Sequence, residues 1–255
     1  MHQLFDMSNR VAVVTGSTKG MGLAIARALG AAGAKLVISS RSEETAKATS
    51  EQLHQTEGID AKGIGCDITD IDSVRRFAKQ AQETFGHVDA LVLNAAGVPP
   101  LGSILNQGLN ELDQTVSGYL SGNLLLVNEI LPQMIARKDG SVLFTSSINA
   151  IRGSKLLGLY GMAKTANDQL VRNLVTEIGA SNVNVNSVNP GAVRTDFSRV
   201  LWENPEREKA VVSTIPLGRI GEPGDVAGLA LLLVSQAGRY ITGQSILVDG
   251  GRSVV

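Results

Sequence analysis

The chain has 255 residues, with 23 Lys and Arg against 24 Asp and Glu and a formal net charge of -1 at pH 7. This balance, without a long basic run, argues against a nucleic-acid-binding protein, because such binding depends on clustered cations. One cysteine, Cys66, excludes an internal disulfide, and three scattered histidines, His2, His54 and His87, cannot complete a Cys/His zinc site with it. We therefore expect no bound metal and no histidine chemistry.

The apolar fraction of 43% is enough for one large core. The longest apolar run, residues 229–234, is far shorter than the roughly 20 residues that span a bilayer. Residues 1–6 lack the basic and apolar regions of a signal peptide. We expect a cytoplasmic protein that does not bind membranes, in which Cys66 is an ordinary small buried residue.

Short runs of β-branched and aliphatic residues alternate with helical periodicity along the whole chain. Most of the apolar runs are continuous, which is typical of strands covered on both faces. They predict strands at 11–15, 35–39, 61–65, 90–93, 141–145, 183–188 and 245–248. Helices are predicted at about 20–32, 42–56, 70–85, 110–137, 158–180 and 223–236. This α/β pattern predicts one domain over residues 1–255, a Rossmann-type doubly wound parallel sheet of about seven strands, with ligands at the carboxyl ends of the strands.

A glycine-rich segment joins the first strand to the first helix. Residues 15–22 read Thr-Gly-Ser-Thr-Lys-Gly-Met-Gly, and backbone N–H groups at a helix N-terminus bind phosphate well. A tight turn without a ligand is the alternative. The candidate pyrophosphate-binding residues are Gly16, Ser17, Thr18, Lys19, Gly20, Met21 and Gly22.

The end of the second strand indicates which dinucleotide binds. A free ribose 2′-hydroxyl calls for an acidic residue here, whereas a 2′-phosphate calls for arginine. The sequence has Ser40 and Arg41 and no acid, which favours NADP(H), with Lys19 as a second cation. Alternatively, Arg41 and Lys19 are ordinary surface charges. Asp67, beside Ile68 after the third strand, is a candidate to contact the adenine or a cap of the following helix.

Tyr160 and Lys164 are four residues apart on a predicted helix, so they share one face. A free tyrosine titrates near 10. An ammonium about 4 Å away supplies about 4 kcal/mol at an effective dielectric of 20, equivalent to roughly three pKa units before desolvation opposes it. We therefore predict that Lys164 lowers the pKa of Tyr160 into the range of a useful acid or base. A surface aromatic beside a solvated lysine is the alternative.

These motifs, in this order, resemble the short-chain dehydrogenase/reductase family over essentially the whole chain. The residues that carry the resemblance are the glycine loop, Asn94 to Gly97, Ser147, Tyr160, Lys164 and Asn189-Pro190-Gly191. It implies that Tyr160 is the general acid or base, that Lys164 holds the nicotinamide ribose, and that Ser147 hydrogen-bonds the substrate oxygen unless it is only a loop hydroxyl. It also implies cofactor contacts from Asn94, Gly97, Pro190, Gly191, Val193 and Thr195, and a homotetramer built through the fourth and fifth helices and the last strand.

One position departs from the family pattern. On the long fourth helix the family usually has an asparagine whose backbone holds a relay water, and this sequence has Tyr119. Either Asn123, one turn later, or other groups replace that function, or Tyr119 forms a wall of the substrate pocket. The third tyrosine, Tyr240, is expected to pack near the last strand.

The segment of about 194–215 is expected to form a flap over the substrate, with Phe197, Leu201 and Trp202 as its apolar side chains. Residues 195–202 resemble NADP-dependent carbonyl reductases that act on ketones and retinoids. We therefore expect an oxidoreductase that transfers hydride between nicotinamide and a moderately apolar ketone or secondary alcohol. The alternatives are a 3-oxoacyl-thioester (acyl-carrier-protein) reductase and, more remotely, a non-catalytic NADP-binding scaffold.

Overall fold

The computed structural model describes residues 3–255 and places seven parallel strands in one sheet. Their order is β3-β2-β1-β4-β5-β6-β7, which confirms the predicted single-domain, doubly wound fold. The strands are β1 (Val11–Val14), β2 (Lys35–Ser40), β3 (Ala61–Gly65), β4 (Ala90–Leu93), β5 (Gly140–Thr145), β6 (Val183–Pro190) and β7 (Ser245–Val248). The order reverses between β1 and β4, so the crevice at their carboxyl ends is where a ligand is expected.

Residues 3–255 form eight α-helices, most of which pack on the two faces of the sheet. They are α1 (Gly20–Ala31), α2 (Glu43–Glu57), α3 (Ile71–Phe85), α4 (Leu109–Val116), α5 (Gly122–Arg137), α6 (Gly158–Ile178), α7 (Pro205–Val212) and α8 (Pro223–Val234). Two apolar layers result. Ile25 and Leu29 of α1 pack with Val226 of α8 on one face, and Phe77 of α3 packs with Leu126 of α5 on the other.

The predicted helix at 110–137 is divided by a π-helical turn, Ser117–Ser121. The carbonyl oxygen of Tyr119 accepts hydrogen bonds from the side-chain amides of Asn123, at 3.0 Å, and Asn167, at 3.1 Å. Side-chain donors inserted into the backbone ladder widen a helix at that point. The turn thereby places Tyr119 at the carboxyl edge of the sheet.

A charged cluster lies at the opposite, amino edge of the sheet. Asp89, whose side chain is 4% exposed, lies 3.2 Å from Arg10, 2.9 Å from Arg137 and 3.0 Å from His87. It also accepts a hydrogen bond from the backbone N–H of Val11 at 2.8 Å. The pKa of Asp89 is lowered, because these hydrogen bonds and positive charges outweigh the desolvation that would raise it.

Asp139, just before β5, extends this amino-edge cluster. It bonds both Arg10 and Arg239, and these arginines hold its pKa below the usual range although burial raises it. The cluster thereby ties the starts of β1, β4 and β5 to the segment that precedes β7.

No helix within residues 3–255 has the length and apolar character required to cross a membrane. The described part of the chain also holds no group of three or more side chains placed to ligate a metal ion.

Candidate active site

An open cleft of about 390 Å³ lies at the carboxyl edge of the sheet. It runs from the end of β2, across the glycine-rich loop, to α6. The cleft is lined by most of the residues that the sequence predicts for cofactor binding: Gly16, Thr18, Lys19, Gly20, Met21, Gly22, Ser40, Arg41, Asp67, Ile68, Asn94, Gly97, Tyr160, Lys164 and Thr195. Thr145 and Asp196 also line it, although neither is among the predicted site residues. Thr145 ends β5, so the carboxyl-end rule could have found it.

The glycine-rich loop forms a cradle that side chains would fill. A Cβ at Gly22 would lie 2.2 Å from the carbonyl oxygen of Gly16, and Gly16 itself has a φ of 61°. The first turn of α1 contains no acidic residue, and no side chain caps it. Its free N–H groups and positive dipole end therefore suit an anionic ligand such as a pyrophosphate.

Ser17 does not line this cradle, contrary to its predicted role. Its side chain is fully buried, donates to the carbonyl oxygen of Val14 at 2.6 Å and accepts from the N–H of Ser39 at 3.0 Å. Because its hydroxyl is satisfied inside the protein, Ser17 shapes the loop instead of facing a ligand. Asn94 also shapes the loop, because its side-chain amide donates hydrogen bonds to the carbonyl oxygens of Thr15 and Gly16, both at 3.0 Å.

Ser40 and Arg41 stand at the far end of the cleft, where a ribose phosphate is expected. Arg41 is exposed. Asp67 lies near enough for the positive charge of Arg41 to help lower its pKa, although hydrogen bonds from Thr69 lower it more. Those bonds, at 2.8 and 2.9 Å, show that Asp67 closes a turn. The cap of α3 is Asp70.

Lys19 is engaged across the cleft and does not stand beside Arg41 as a free cation. Its Nζ lies 3.1 Å from Asp196, and both side chains are mostly exposed. Asp196 begins the segment expected to cover the substrate, and the Lys19 contact is the main reason for its lowered pKa. An exposed pair of this kind is weak, because solvent screens the two charges, so it can open readily.

Ser147 follows β5 and points towards Tyr160. Its Oγ accepts from the N–H of Asn149 at 3.1 Å, which leaves its own proton free to donate. A hydrogen bond from Ser147 lowers the pKa of Tyr160, but burial dominates and raises it above the usual value. The neighbouring Ser146 lines the cleft, but its hydroxyl donates to the backbone carbonyl oxygen of Lys164. Ser147 does not line the cleft and is the serine that hydrogen-bonds Tyr160.

Lys164 lies next to Tyr160 on one face of α6, yet its ammonium does not reach the phenol oxygen. The Nζ donates to the carbonyl oxygen of Thr145 at 2.7 Å and lies 5.7 Å from the centre of the Tyr160 ring. The predicted lowering of the pKa of Tyr160 by Lys164 is therefore wrong for this geometry. Burial lowers the pKa of Lys164 itself to about 8.

Tyr119 lies behind Tyr160, and only 2% of it is exposed. Its ring meets the Tyr160 ring edge-on at 5.2 Å, and Lys164 Nζ lies 5.3 Å from its centre. Its hydroxyl donates to the carbonyl oxygen of Gly97 at 2.7 Å. Tyr119 is thus part of the support of the site and does not line the cleft as the expected pocket wall would.

Asn123, the proposed substitute for the family asparagine, is 3% exposed and uses its amide to bond Tyr119. The carbonyl oxygen of Tyr119 is therefore already taken by two side-chain amides, from Asn123 and Asn167.

The segment after β6 contributes Thr195 to the cleft, whereas Gly191 and Val193 of that segment, and Pro190 at the end of β6, do not line it. Val193 is 4% exposed and pairs with Gly221. A Cβ at Gly191 would lie 2.8 Å from Asp249, so the chain here is tightly packed.

The expected flap has a short 3-10 helix, Asp196–Leu201, followed by α7. Phe197 faces the cleft, 54% exposed, with its ring 6.2 Å from that of Tyr160. Leu201 and Trp202 instead pack inward on Ile215 and Ile220. One face of the segment therefore anchors it and the other covers the cleft.

Three further expectations can be compared with the structure. Cys66 is free and buried, and burial raises the pKa of its thiol to about 12, as expected of an inert cysteine. His54 is exposed, whereas His87 is partly buried against Asp89, and His2 lies outside the described residues. The prediction that Tyr240 packs near the last strand is wrong, because the turn before β7 leaves its side chain fully exposed.

Comparison with known proteins agrees with this fold. Residues 16–253 match the family model described as enoyl-(acyl carrier protein) reductase. Dehydrogenase/reductase SDR family member 4 of Bos taurus is 38% identical over 245 residues, which cover 96% of this chain and 88% of that protein. The chain belongs to the short-chain dehydrogenase/reductase (SDR) family. It is accordingly an oxidoreductase of the CH–OH/C=O type.

Two solved structures are similar over nearly their full length. One is a 7α-hydroxysteroid dehydrogenase in complex with NADH and 7-oxo glycochenodeoxycholic acid, with a TM-score of 0.92, 29% identity and coverage of 98% of this chain and 97% of that one. The other is described as an NAD(P)-dependent gluconate 5-dehydrogenase from Beutenbergia cavernae with bound NADP, with a TM-score of 0.93, 28% identity and coverage of 99% and 100%. The two neighbours hold different nicotinamide cofactors.

Proposed function

We propose that this protein is an NADP(H)-dependent carbonyl reductase. The observation that carries the proposal is that Tyr160 and Lys164 line one end of a cleft whose other end holds the glycine cradle and Arg41, with Ser147 hydrogen-bonded to Tyr160. A nicotinamide cofactor bound along the cleft would supply the hydride. The glycine loop, Asn94 and the segment of Pro190, Gly191, Val193 and Thr195 would then hold and shape its binding site.

In the proposed reaction, Ser147 donates a hydrogen bond to the substrate oxygen as negative charge develops there. Tyr160 supplies the proton to the same oxygen. The raised pKa of Tyr160 keeps its phenol protonated at neutral pH, which is the form that a proton donor needs. Lys164 would hold the nicotinamide ribose.

The choice of NADP(H) rests on Arg41, Ser40 and the lack of an acid at the end of β2. Replacing Arg41 with Ala is expected to raise KM for NADPH about 10- to 100-fold, since a charge-assisted hydrogen bond is worth about 1.5 to 3 kcal/mol, and to change KM for NADH little. Steady-state kinetics with both cofactors measure this. Replacing Arg75, an exposed arginine on α3, is the control. A wild-type preference for NADH would contradict the assignment.

The proposed substrate is a moderately apolar ketone. Phe197 and Val98 line the cleft, and Val98, Leu101 and Leu105 are largely exposed beside it. The rival, a reductase of 3-oxoacyl thioesters on a carrier protein, is kept because Arg152 and Lys155 are exposed on the loop after Ser147. NADPH oxidation with aliphatic and aromatic ketones, diketones and an acetoacetyl thioester decides between them. Preference for the thioester would favour the rival, and no turnover with any carbonyl would favour a non-catalytic scaffold.

We also propose a homotetramer in the cytoplasm. Apolar side chains exposed on α4, α5 and α6 and near β7 support the assembly: Leu109, Leu124, Met162, Tyr240 and Leu247. Sedimentation analysis tests it, and a monomer would refute it. A free, buried Cys66 suits a reducing compartment, and fractionation of cells that express the chain tests the location.

A further inference from the structure

Asp168 is a buried carboxylate that the proposed reaction does not use. It lies on α6 and is 3% exposed. Its Oδ2 accepts a hydrogen bond from the side-chain amide of Asn189 at 2.7 Å, whereas Oδ1 has no hydrogen-bond partner within residues 3–255. One neutral amide does not offset the cost of burying a carboxylate, so a positive charge is needed nearby.

Lys164 is the cation that meets this need. It precedes Asp168 by one helical turn, so both side chains lie on the same face of α6. It is itself 4% exposed, and its hydrogen bond to Thr145 goes to a neutral carbonyl oxygen. No hydrogen bond joins the two side chains within residues 3–255, because Asp168 Oδ1 has no partner and Lys164 Nζ donates to Thr145, so the two buried charges act on one another through space.

The other titratable groups that contact Lys164 cannot take this role. Tyr119, on the π-helical turn, and Tyr160, on α6, present their ring faces to the ammonium at 5.3 and 5.7 Å. Burial raises the pKa of both phenols, so neither carries a negative charge at neutral pH. Burial also lowers the pKa of Lys164, and the negative charge of Asp168 opposes that change.

Asp168 is also connected to the substrate end of the cleft. The Asn189 amide that it accepts from also donates to the backbone carbonyl oxygen of Ser147, at 3.2 Å. Asn189 lies on β6 immediately before Pro190. A change at Asp168 therefore reaches both Lys164 and the strand end that presents Ser147.

We propose that Asp168 is the buried counter-ion of Lys164 and a positioning residue for it, which keeps the ammonium charged and aligned at the wall of the cleft that Lys164 lines. The functional part of this inference rests on the proposed reductase activity, whereas the ion pair itself does not. The substitution Asp168→Asn tests it, because it removes the charge and retains a side chain of the same shape.

The direct readout is the titration of Lys164 by NMR in ligand-free protein labelled at lysine Cε, with Lys164→Met to assign the signal. We expect the Lys164 midpoint to fall by about one pH unit in Asp168→Asn, at the low end of the effect of a nearby opposite charge. Asp168→Glu retains the charge and should restore most of the midpoint. Glu177→Gln, which removes an exposed carboxylate from the same helix, should leave it unchanged. A midpoint in Asp168→Asn equal to that of the wild type would overturn the proposal.

A second measurement applies if Asp168→Asn folds poorly. The melting temperatures of Lys164→Met, Asp168→Asn and the double variant form a double-mutant cycle. Each single variant leaves one buried charge without its partner. The melting temperature of the double variant should therefore fall by less than the sum of the two single decreases. Strictly additive decreases in melting temperature would overturn the proposal that Asp168 is the counter-ion of Lys164.

Measurements of activity distinguish a failure of the counter-ion proposal from a failure of the proposed reductase function. Where the wild type reduces a ketone, the alkaline limb of the kcat profile in Asp168→Asn should move to lower pH together with the Lys164 midpoint. An unchanged limb would contradict the positioning role. An inactive wild type that nonetheless shows the NMR shift would refute the reductase and leave the ion pair standing.

Discussion

Replacing Tyr160 with phenylalanine is expected to lower kcat for ketone reduction by about 10²- to 10⁴-fold, the range typical for the loss of a general acid. The substitution removes the hydroxyl that contacts Ser147. The ring and its edge-on packing against Tyr119 at 5.2 Å are retained, so the fold and the cleft should persist. NADPH oxidation measures the rate.

Two controls make the Tyr160 result specific. The dissociation constant of NADPH, from fluorescence titration, should change little, because the phenol is proposed to act on substrate. Tyr240→Phe removes a hydroxyl from a fully exposed tyrosine and should leave kcat unaltered. If Tyr160→Phe retains wild-type turnover, Tyr160 is not the proton donor.

The second large effect is expected on stability. Replacing Asp89 with asparagine should lower the free energy of unfolding at pH 7 by about 3 kcal/mol, the low end for breaking a buried ion pair. The low end applies because the partner side chains of Arg10 and Arg137 are 24% and 32% exposed. Urea denaturation of the ligand-free protein measures this loss, and the exposed Asp113 on α4 provides a matched Asp→Asn control.

The pH dependence of that loss has a definite sign. The pKa of Asp89 in the folded protein lies below its usual value of 3.8. The contribution of Asp89 to the free energy of unfolding is therefore fully present above the pKa of the unfolded state. It disappears as the pH falls through the pKa of the folded state. The difference between the wild type and Asp89→Asn should be largest near neutrality and shrink below pH 3.8. A constant difference across this range would mean that the asparagine acts through packing alone.

The fold could be predicted because its signals are local. The strands are continuous apolar runs, and β1 and β4 are buried along their whole length. The glycine loop likewise follows directly from residue order. Tyr160 and Lys164 were found from helical spacing, which fixes the face of a side chain but not the direction of its terminal group. The error in the predicted pKa of Tyr160 arose there, since the ammonium turns towards Thr145.

Other features depend on contacts that spacing does not reveal. Ser17 is buried because β2 passes over it and Ser39 bonds its hydroxyl. Tyr119 reaches Gly97, which lies 22 positions earlier, and its π-helical turn depends on an amide from α6. Asp168 could have been noticed four residues after Lys164, but only the packing around α6 distinguishes it from an exposed helix charge.

The separation of the amino-edge cluster from the cleft has a practical consequence. The central strands that join them, β1 with sequence Val-Ala-Val-Val and β4 with Ala-Leu-Val-Leu, carry no side chain that can gain or lose a proton. We therefore expect stability in acid to depend on Asp89 at the amino edge of the sheet, and activity in alkali to depend on Lys164 and Asp168 at the opposite side of strands that do not titrate. Stability in acid can be changed by substituting Asp89 or the arginines that contact it. Activity in alkali can be changed separately by substituting Asp168.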